Sequence, residues 1–562
     1  MYHRVADIMK TITVHHTARM IAACCYDRGI RQLIISPGSR SAPLLLAFEE
    51  FTDIKKTVLP DERSAAYTAM GMALSLGKPV AVLTTSGTAT LNAAPALCEA
   101  FYLGVPLVII TADRPDHLYF SGENQTIVQQ GIYSSFVAGE LHIPTNPVNN
   151  KKTITNITGL LDLCIQSQRP IHFNIALQEP LYQRQQYIEQ FYIPKTKPHN
   201  IKTTASLKQL ERAISSYSRV LWFDGMNYSS PNRKINSNSL SQIDSSIRLQ
   251  EPLSNKGEPI VIPVEESFYT LLRQFKPDMH PDLLITREGQ ILSKKFRQYF
   301  SQYPPKHHIH ISRQKEHWYR FDCKYTHIQI PRDEFQYDIS SNSCDRTFVD
   351  QWQKLGKEIL AYRKKFLANS PWSEWKAIQL LAYLIPKKSA VHLGNSGVVR
   401  YASLTEWSKT TQLHANRGTS GIDGTLSTAC GAASVSAKPH ICILGDISFH
   451  YDLNALWRES LPDNLKIIVI ENGGGNIFRM IPGPSDSGLL DKYFLTHFPF
   501  SIRKLAESHN LPYDRCSTEK EWLRWLNEKL NKPGCCLVEL RIDGEKSAAI
   551  LSKYYQHLNL AP

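Results

Sequence analysis

Gly445-Asp446-Ile447-Ser448 follows the apolar run Ile441–Leu444, and Asn472 comes 26 residues after Asp446, just beyond a second apolar run ending at Ile470. A carboxylate and an amide oxygen at the carboxyl ends of two predicted strands lie where open α/β sheets bind ligands. A helix capped by Ser448 and running to Trp457 would turn free N–H groups and a positive dipole toward a phosphate. The Gly473–Gly475 run lets a backbone carbonyl approach closely. Two or three protein oxygens, completed by phosphate oxygens and water, suit an octahedral Mg²⁺. The same residues also read as an Asp in a turn and an Asn closing a strand, and their spacing does not separate the two readings.

Glu62 lies in Asp61-Glu62-Arg63 at the start of a predicted helix, where an acidic residue is ordinary dipole chemistry; it gains a further meaning only if a cofactor arrives from another domain. A set of cations accompanies turns. Arg40 follows Ser36-Pro37-Gly38-Ser39, Arg114 precedes Pro115, Arg400 follows Asn395-Ser396, Arg417 sits in Asn416-Arg417-Gly418, and Lys294-Lys295 lies in the middle of the chain. Each alone reads as a solvated charge. Together, at the ends of predicted strands, they suit carboxylate or phosphate recognition. His307, His308 and His310 alternate along a probable strand so that two share a face, with no further zinc-ligand spacing beside them.

The elements that carry these residues alternate. Gln32–Ile35 is a predicted strand, Glu62–Leu76 a helix closed by Gly77 and Pro79, and Val80–Thr85 a strand. Ser86-Gly87-Thr88 opens an Ala-rich helix, and Leu107–Ala112 is the next strand. The C-terminal region repeats the order: a helix over Ile422–Ser434, then strands Ile441–Leu444 and Ile467–Ile470. Thr68–Pro79 aligns without gaps on Thr428–Pro439 with six of twelve positions identical, and two residues more of offset pair Leu91-Asn92 with Leu453-Asn454. A duplicated α/β unit explains that order better than chance matching of Ala-rich helices. Between the two regions, Val220–Phe223 and Leu283–Thr286 read as strands, Asn227–Ser245 as a polar surface loop and residues 341–370 as a helical connector. The fold class is α/β: three domains of parallel sheet with helices on both faces, the first and third related and the middle one Rossmann-like.

Composition bounds the function. At 562 residues, with 42% hydrophobic and 20% charged residues, the chain has room for two to four domains of ~150 residues. Collagen, disorder, a membrane channel and a small disulfide scaffold are excluded: no apolar run approaches the ~18 residues of a membrane span, and the first residues lack a secretory signal pattern. The formal charge of +13 comes from scattered residues without a basic tail, which favours small anions over nucleic acid. Eleven cysteines, including the vicinal pairs Cys24-Cys25 and Cys535-Cys536, contain no C-x-x-C spacing and read as reduced thiols of a cytoplasmic protein.

Taken in order, ten motifs resemble the thiamine-diphosphate enzymes, and more closely the 2-succinyl-5-enolpyruvyl-6-hydroxy-3-cyclohexene-1-carboxylate synthase family of menaquinone biosynthesis. They are Ser36-Pro-Gly-Ser-Arg-Ser-Ala-Pro-Leu44, Asp61-Glu-Arg63, Thr85-Ser-Gly-Thr88, Thr111-Ala-Asp-Arg-Pro115 and Asn124-Gln125. Gly394-Asn-Ser396, Asn416-Arg-Gly-Thr-Ser-Gly-Ile-Asp-Gly424, Gly445-Asp-Ile-Ser-Phe449, Asp452-Leu-Asn454 and Gly474-Gly-Asn-Ile-Phe478 complete the series. The resemblance covers both outer regions well and the middle poorly. It implies a pyrimidine-binding domain over residues 1–185, a middle domain over 196–345 and a diphosphate-binding domain over 365–562. Glu62 would hydrogen-bond the aminopyrimidine nitrogen N1′, and Asp446, Asn472 and the Gly474 carbonyl would hold Mg²⁺, or Mn²⁺, on the diphosphate. Ser86, Gly87, Thr88, Gly445, Ile447, Ser448, Asn476 and Ile477 would line the cofactor, with Ile422 propping its bent conformation. Ser39, Arg40, Arg114, Asn124, Gln125, Lys294, Ser396, Arg400, Arg417, Ile477 and Phe478 match substrate-pocket positions.

The reaction implied is decarboxylation of 2-oxoglutarate and 1,4-addition of the resulting succinyl-semialdehyde carbanion to isochorismate. In such enzymes the cofactor lies between partner subunits, which implies a homodimer and admits a homotetramer, without nucleic acid or membrane insertion. The chain departs from the wider pattern at Ile447, where most thiamine-diphosphate enzymes have Gly, and at Glu471, Gly473 and Lys295. Glu471 brings an extra carboxylate near the metal position. The alternatives are another thiamine-diphosphate 2-oxoacid decarboxylase or acetohydroxyacid-synthase-like enzyme, an inactive binding homologue, and a basic nucleic-acid binder.

Overall fold

The computed structural model describes residues 2–4, 10–187, 191–195, 204–227, 247–255, 262–312, 320–329, 345–481, 483–497 and 501–558. By packing they form two compact units, one of Met1–His199, Asn416–His440 and Phe449–Leu465, the other of Asn200–Ala415, Ile441–Ser448 and Lys466–Pro562.

The first unit is built on a six-stranded parallel sheet ordered Lys55–Val58, Gln32–Ile35, Val80–Thr84, Leu107–Asp113, Ile171–Ala176, Glu140–Ile143. Val80–Thr84 and Leu107–Asp113 are buried at every residue, the signature of a sheet covered on both faces. Leu33, Ile35, Ala81, Leu83, Val108 and Ile110 pack with helices His16–Asp27, Ala42–Glu49 and Asn150–Ser167. The alternate residues Ile34, Val80, Val82, Leu107 and Ile109 pack with helices Glu62–Leu76 and Ala94–Leu103. Glu62–Leu76 has the predicted bounds for identifiable reasons. The Asp61 carboxylate accepts from the Arg63 and Ser64 N–H groups, and Gly77 ends the helix in the left-handed region at φ 65°.

A second six-stranded sheet is ordered Gln412–His414, Ala390–Leu393, His440–Gly445, Leu465–Glu471, Cys536–Arg541, Tyr513–Cys516. It pairs parallel where Ala390–Leu393 meets Gln412–His414 and where Cys536–Arg541 meets both neighbours. Counted along the chain, both six-stranded sheets have the order 2-1-3-4-6-5, so the kinship of the first and third regions extends to every strand. The two halves of the internal repeat, Thr68–Pro79 and Thr428–Pro439, both fall between the second and third strands of their sheets. The middle sheet, Ile247–Gln250, Val220–Asp224, Leu283–Arg287, His307–Ser312 and Lys324–Gln329, is parallel with order 2-1-3-4-5, a doubly wound arrangement. The connector is the helix Arg346–Ala368.

Several boundaries differ from expectation. The Ala-rich helix after Gly87 is two helices, Thr88–Asn92 and Ala94–Leu103, because Pro95 has no N–H to continue the first and fits the opening turn of the second. The helix expected from Ile422 begins at Thr425, since Gly424 at φ 76° interrupts the backbone before it. The helix after the third strand begins at Asp446, so Ser448 lies inside its first turn and does not cap it; regular helix ends at Tyr451, and a 3₁₀ turn follows over Leu453–Leu456. His308 and His310 share a face, each with a ring nitrogen 2.8 Å from the Thr286 hydroxyl, while His307 bonds Thr326. The polar loop expected over Asn227–Ser245 lies, from residue 228 onward, outside the described residues. Among the described residues no helix is long and apolar enough to cross a membrane.

Candidate functional site

The order 2-1-3 in each six-stranded sheet reverses the winding direction between its first and third strands, and the loops leaving such a pair of strands are where open α/β sheets bind ligands. In the second unit these loops carry Ser396 and Gly445-Asp446, with Asn472 at the end of the neighbouring strand Leu465–Glu471. Asp446 Oδ1 accepts from the Ile447 N–H at 2.8 Å, and Oδ2 accepts from the N–H groups of Asn472 at 3.3 Å and Gly474 at 3.0 Å. The carboxylate thus stitches the glycine turn to the end of the adjacent strand. Burial raises the Asp446 pKa against these bonds, and the charge of Glu471 adds to the rise. Glu471 is itself held by Arg541 Nε at 3.2 Å, its register partner on the next strand. The turn requires glycine at 474, where φ is 78° and a side chain would overlap the Thr496 carbonyl.

Sequence reading missed Glu374, the first residue of helix Glu374–Leu384. Its side chain is buried, and its Oε1 accepts from Asn472 Nδ2 at 3.1 Å and Asn476 Nδ2 at 2.7 Å. Both Oδ1 atoms of these asparagines are buried without a hydrogen-bond partner among the described residues. Desolvation raises the Glu374 pKa to about 7. A carboxylate, an uncommitted amide oxygen whose NH₂ is tied down, a glycine turn, and open space above Gly445 fit a hard divalent cation with phosphate oxygens. Ile477 and Phe478, both half-buried, open the short helix Ile477–Met480 just beyond. Ser396 takes φ 75°, and its carbonyl accepts from Arg400 Nη1 at 2.7 Å. Lys294 is exposed at the start of helix Lys294–Gln302, while Lys295 lies over the Tyr269 ring at 4.6 Å.

In the first unit the corresponding loops, Ser36–Arg40 and Thr85–Thr88, lie beside Arg114 at the end of the fourth strand. Arg114 Nη1 donates to Ser86 Oγ at 3.0 Å and to the Gln125 carbonyl at 3.4 Å, tying two loops together. Gly87 is required at φ 79°, because a side chain there would press on the Gln125 backbone. Arg40 donates to the Leu177 carbonyl at 3.1 Å and pairs with Glu179 at 3.2 Å; burial and the neighbouring Arg114 charge lower its pKa. Ser39 bonds Tyr182 at 3.0 Å, Thr88 opens the short helix, and Asn124 is exposed on the loop before Gln125. Behind these residues lies a buried network with no sequence signal, because its members come from different strands and loops. Gln129 accepts from the Gly87 N–H at 2.9 Å and donates to Asn174 Oδ1 at 2.8 Å, and Asn174 Nδ2 donates to Asp113 at 2.8 Å.

Glu62, half-buried, accepts from Asn92 Nδ2 at 3.0 Å. The same unit holds the Arg417 loop. Buried Glu99 accepts from the Gly418 and Thr419 N–H groups at 2.6 and 2.7 Å and from the Thr419 hydroxyl at 2.8 Å, which fixes the backbone between Arg417 and Ser420's left-handed turn. Ile422 is 37% exposed, an apolar side chain left on the surface of the unit. Of the sequence-derived residues, Glu62, Arg40, Arg114, Arg417 and Ile422 belong to the first unit, and Asp446, Asn472, Gly474 and Ser396 to the second.

Two family models match the chain: Thiamine pyrophosphate enzyme, N-terminal TPP binding domain, over residues 15–132, and Thiamine pyrophosphate enzyme, C-terminal TPP binding domain, over residues 394–540. The chain is 33% identical to a 2-succinyl-5-enolpyruvyl-6-hydroxy-3-cyclohexene-1-carboxylate synthase of Christiangramia forsetii, over 92% of this chain and 94% of that protein. Proteins of the same name from Flavobacterium johnsoniae and Bacteroides thetaiotaomicron are each 33% identical over 96% of this chain and 98% of their own length.

Proposed function

Because the chain belongs to the 2-succinyl-5-enolpyruvyl-6-hydroxy-3-cyclohexene-1-carboxylate synthase family and carries both thiamine pyrophosphate-binding domains, we propose that it decarboxylates 2-oxoglutarate and joins the remaining four carbons to isochorismate. CO₂ is released first and the carbon–carbon bond then forms by 1,4-addition, a step of menaquinone biosynthesis in the cytoplasm. The observation that carries this reading is the Oδ1 of Asn472, buried and without a hydrogen-bond partner among the described residues, beside Asp446 at the carboxyl ends of two central strands. An amide oxygen left bare in that position is costly unless a cation uses it.

Residues 1–185 form the pyrimidine-binding domain in this reading, 196–345 a middle domain, and 365–562 the diphosphate-binding domain. Asp446, Asn472 and the Gly474 carbonyl hold Mg²⁺, for which Mn²⁺ can substitute, against the diphosphate, with Gly445, Ile447, Ser448, Asn476 and Ile477 around it. Thiamine diphosphate, when bound, supplies the thiazolium that takes up the electron pair of the breaking C–CO₂ bond. Glu62 holds a proton at N1′ of the pyrimidine, acid–base help worth ~10²–10⁴-fold. Ser86, Gly87 and Thr88 border the pyrimidine, and Ile422 braces the cofactor. Both substrates are dicarboxylates, so Arg40 and Arg114, whose charges already lie near enough to depress the Arg40 pKa, recognise carboxylate bidentately. Arg400, Arg417 and Lys294 supply further positive charge, and Ser39, Asn124, Gln125, Ser396 and Phe478 shape the pocket. The cofactor is completed by the Glu62 set of one subunit and the Asp446 set of its partner, so the active form is a homodimer or a dimer of dimers.

The test combines the protein with thiamine diphosphate, Mg²⁺, 2-oxoglutarate and isochorismate and follows isochorismate loss against CO₂ release. One-to-one consumption is expected. Loss of 2-oxoglutarate with isochorismate untouched would assign a simple decarboxylase, and no turnover an inactive homologue.

A further inference from the structure

We propose that Glu374 is a positioning residue for the metal site: its buried Oε1 captures the NH₂ groups of Asn472 and Asn476 and thereby fixes which end of the Asn472 amide is available to the cation. This inference rests on the metal-site reading above.

An asparagine amide has two nearly isosteric orientations, one offering oxygen and the other NH₂. At position 472 only the first can ligate a cation. Within the described residues, Asn472 Nδ2 finds its acceptor in Glu374 Oε1, and Oδ1 is buried with none. Turning the amide over would set its oxygen against a carboxylate oxygen and strand its NH₂, so one acceptor excludes the wrong orientation. Asn476 Nδ2 meets the same oxygen at 2.7 Å, while its Oδ1 lies against Gly544. The Glu374 oxygen is thus bracketed by two donors. Asp446 does the complementary work on the backbone, accepting from the N–H groups of Asn472 and Gly474. Main chain and side chain of residue 472 are therefore anchored by different acidic residues on different elements. Partners that orient a metal ligand in this way typically govern 10–100-fold in metal affinity.

Two conservative variants separate reach from charge. E374Q keeps an acceptor oxygen at the same distance and loses the charge; E374D keeps the charge and withdraws the oxygen by one methylene. Mn²⁺ is titrated into the full-length protein with thiamine diphosphate present and followed by its paramagnetic resonance signal, with melting curves recorded without metal to verify folding. E374Q is expected to bind Mn²⁺ within about threefold of wild type and E374D about 10–100-fold more weakly. In an N472A background E374D should produce no further loss, because its effect passes through Asn472. Wild-type affinity in E374D, or a loss in E374Q as large as in E374D, would overturn the positioning role. Absence of cofactor-dependent Mn²⁺ binding in the wild type would instead overturn the metal-site reading beneath it.

Discussion

Glu62 occupies the first turn of its helix one residue after the Asp61 cap, a place that ordinary dipole chemistry explains fully. What distinguishes it is the proposed proton at N1′. Glu62→Gln should fold normally and lower turnover at least ~100-fold; wild-type turnover would remove the assignment. Asp446→Ala should weaken Mg²⁺-dependent thiamine diphosphate binding in titration calorimetry, with unchanged affinity counting against the metal site. A third residue speaks to pH. Asp452 is fully buried, accepts from the Ser427 N–H and hydroxyl, and burial lifts its pKa from 3.8 to about 6. A carboxyl whose folded pKa is raised binds more protons folded than unfolded, so its contribution falls as pH rises from about 4 to 6. The cost is complete above that window. At ~1.4 kcal/mol per pKa unit the swing is of order 3 kcal/mol. Asp452→Asn should flatten the decline in stability across that window; an unaltered slope would mean that another group causes it. Asp446, Asn472 and the arginines are legible in the sequence because a motif or a strand end surrounds them. Glu374 is not, since a Glu after Ser373 at a helix start already has an explanation, and Asn472 lies 98 residues away. Gln129 and Asn174 are hidden for the same reason: their partners meet only once the sheet has formed.

The internal repeat has a structural cause at the level of paired helices. Helices Glu62–Leu76 and Thr425–Ser434 cross so closely that a side chain at Gly71 would overlap the Thr428 carbonyl and one at Gly431 would overlap the Thr68 carbonyl. Thr68 aligns with Thr428 and Gly71 with Gly431 in the repeat, so each helix presents to the other the surface it receives. Ser64 and Ser427 hydroxyls meet at 2.9 Å in the same seam. Gly71→Ala and Gly431→Ala should each destabilise by roughly 1–3 kcal/mol, the usual cost of overpacking, seen as a lower denaturation midpoint. An unchanged midpoint would show that the helices separate freely. Strands such as Gln32–Ile35 and the helix Glu62–Leu76 have the bounds expected from sequence, because apolar runs, an Asp cap and a Gly stop act locally. The helix starts at Thr425 and Asp446 do not follow the expectation, because there the backbone is shaped by tertiary contacts: the Tyr67 ring against Gly424, and the glycine turn held by Asp446.

The two six-stranded sheets share one winding, yet the residues singled out by the sequence differ: Glu62, Arg40 and Arg114 in the first unit, Asp446, Asn472 and Gly474 in the second. In the proposed reading the first unit of one subunit and the second unit of its partner serve the two ends of a single cofactor. That pairing between subunits is open to a direct test by coexpressing Glu62→Gln and Asp446→Ala chains. In a mixed dimer one site would carry both substitutions and the other neither. Random assembly of two inactive parents should then restore about a quarter of wild-type synthase turnover, as half the dimers are mixed and each has one intact site. Coexpressed dimers no more active than either parent alone would contradict it.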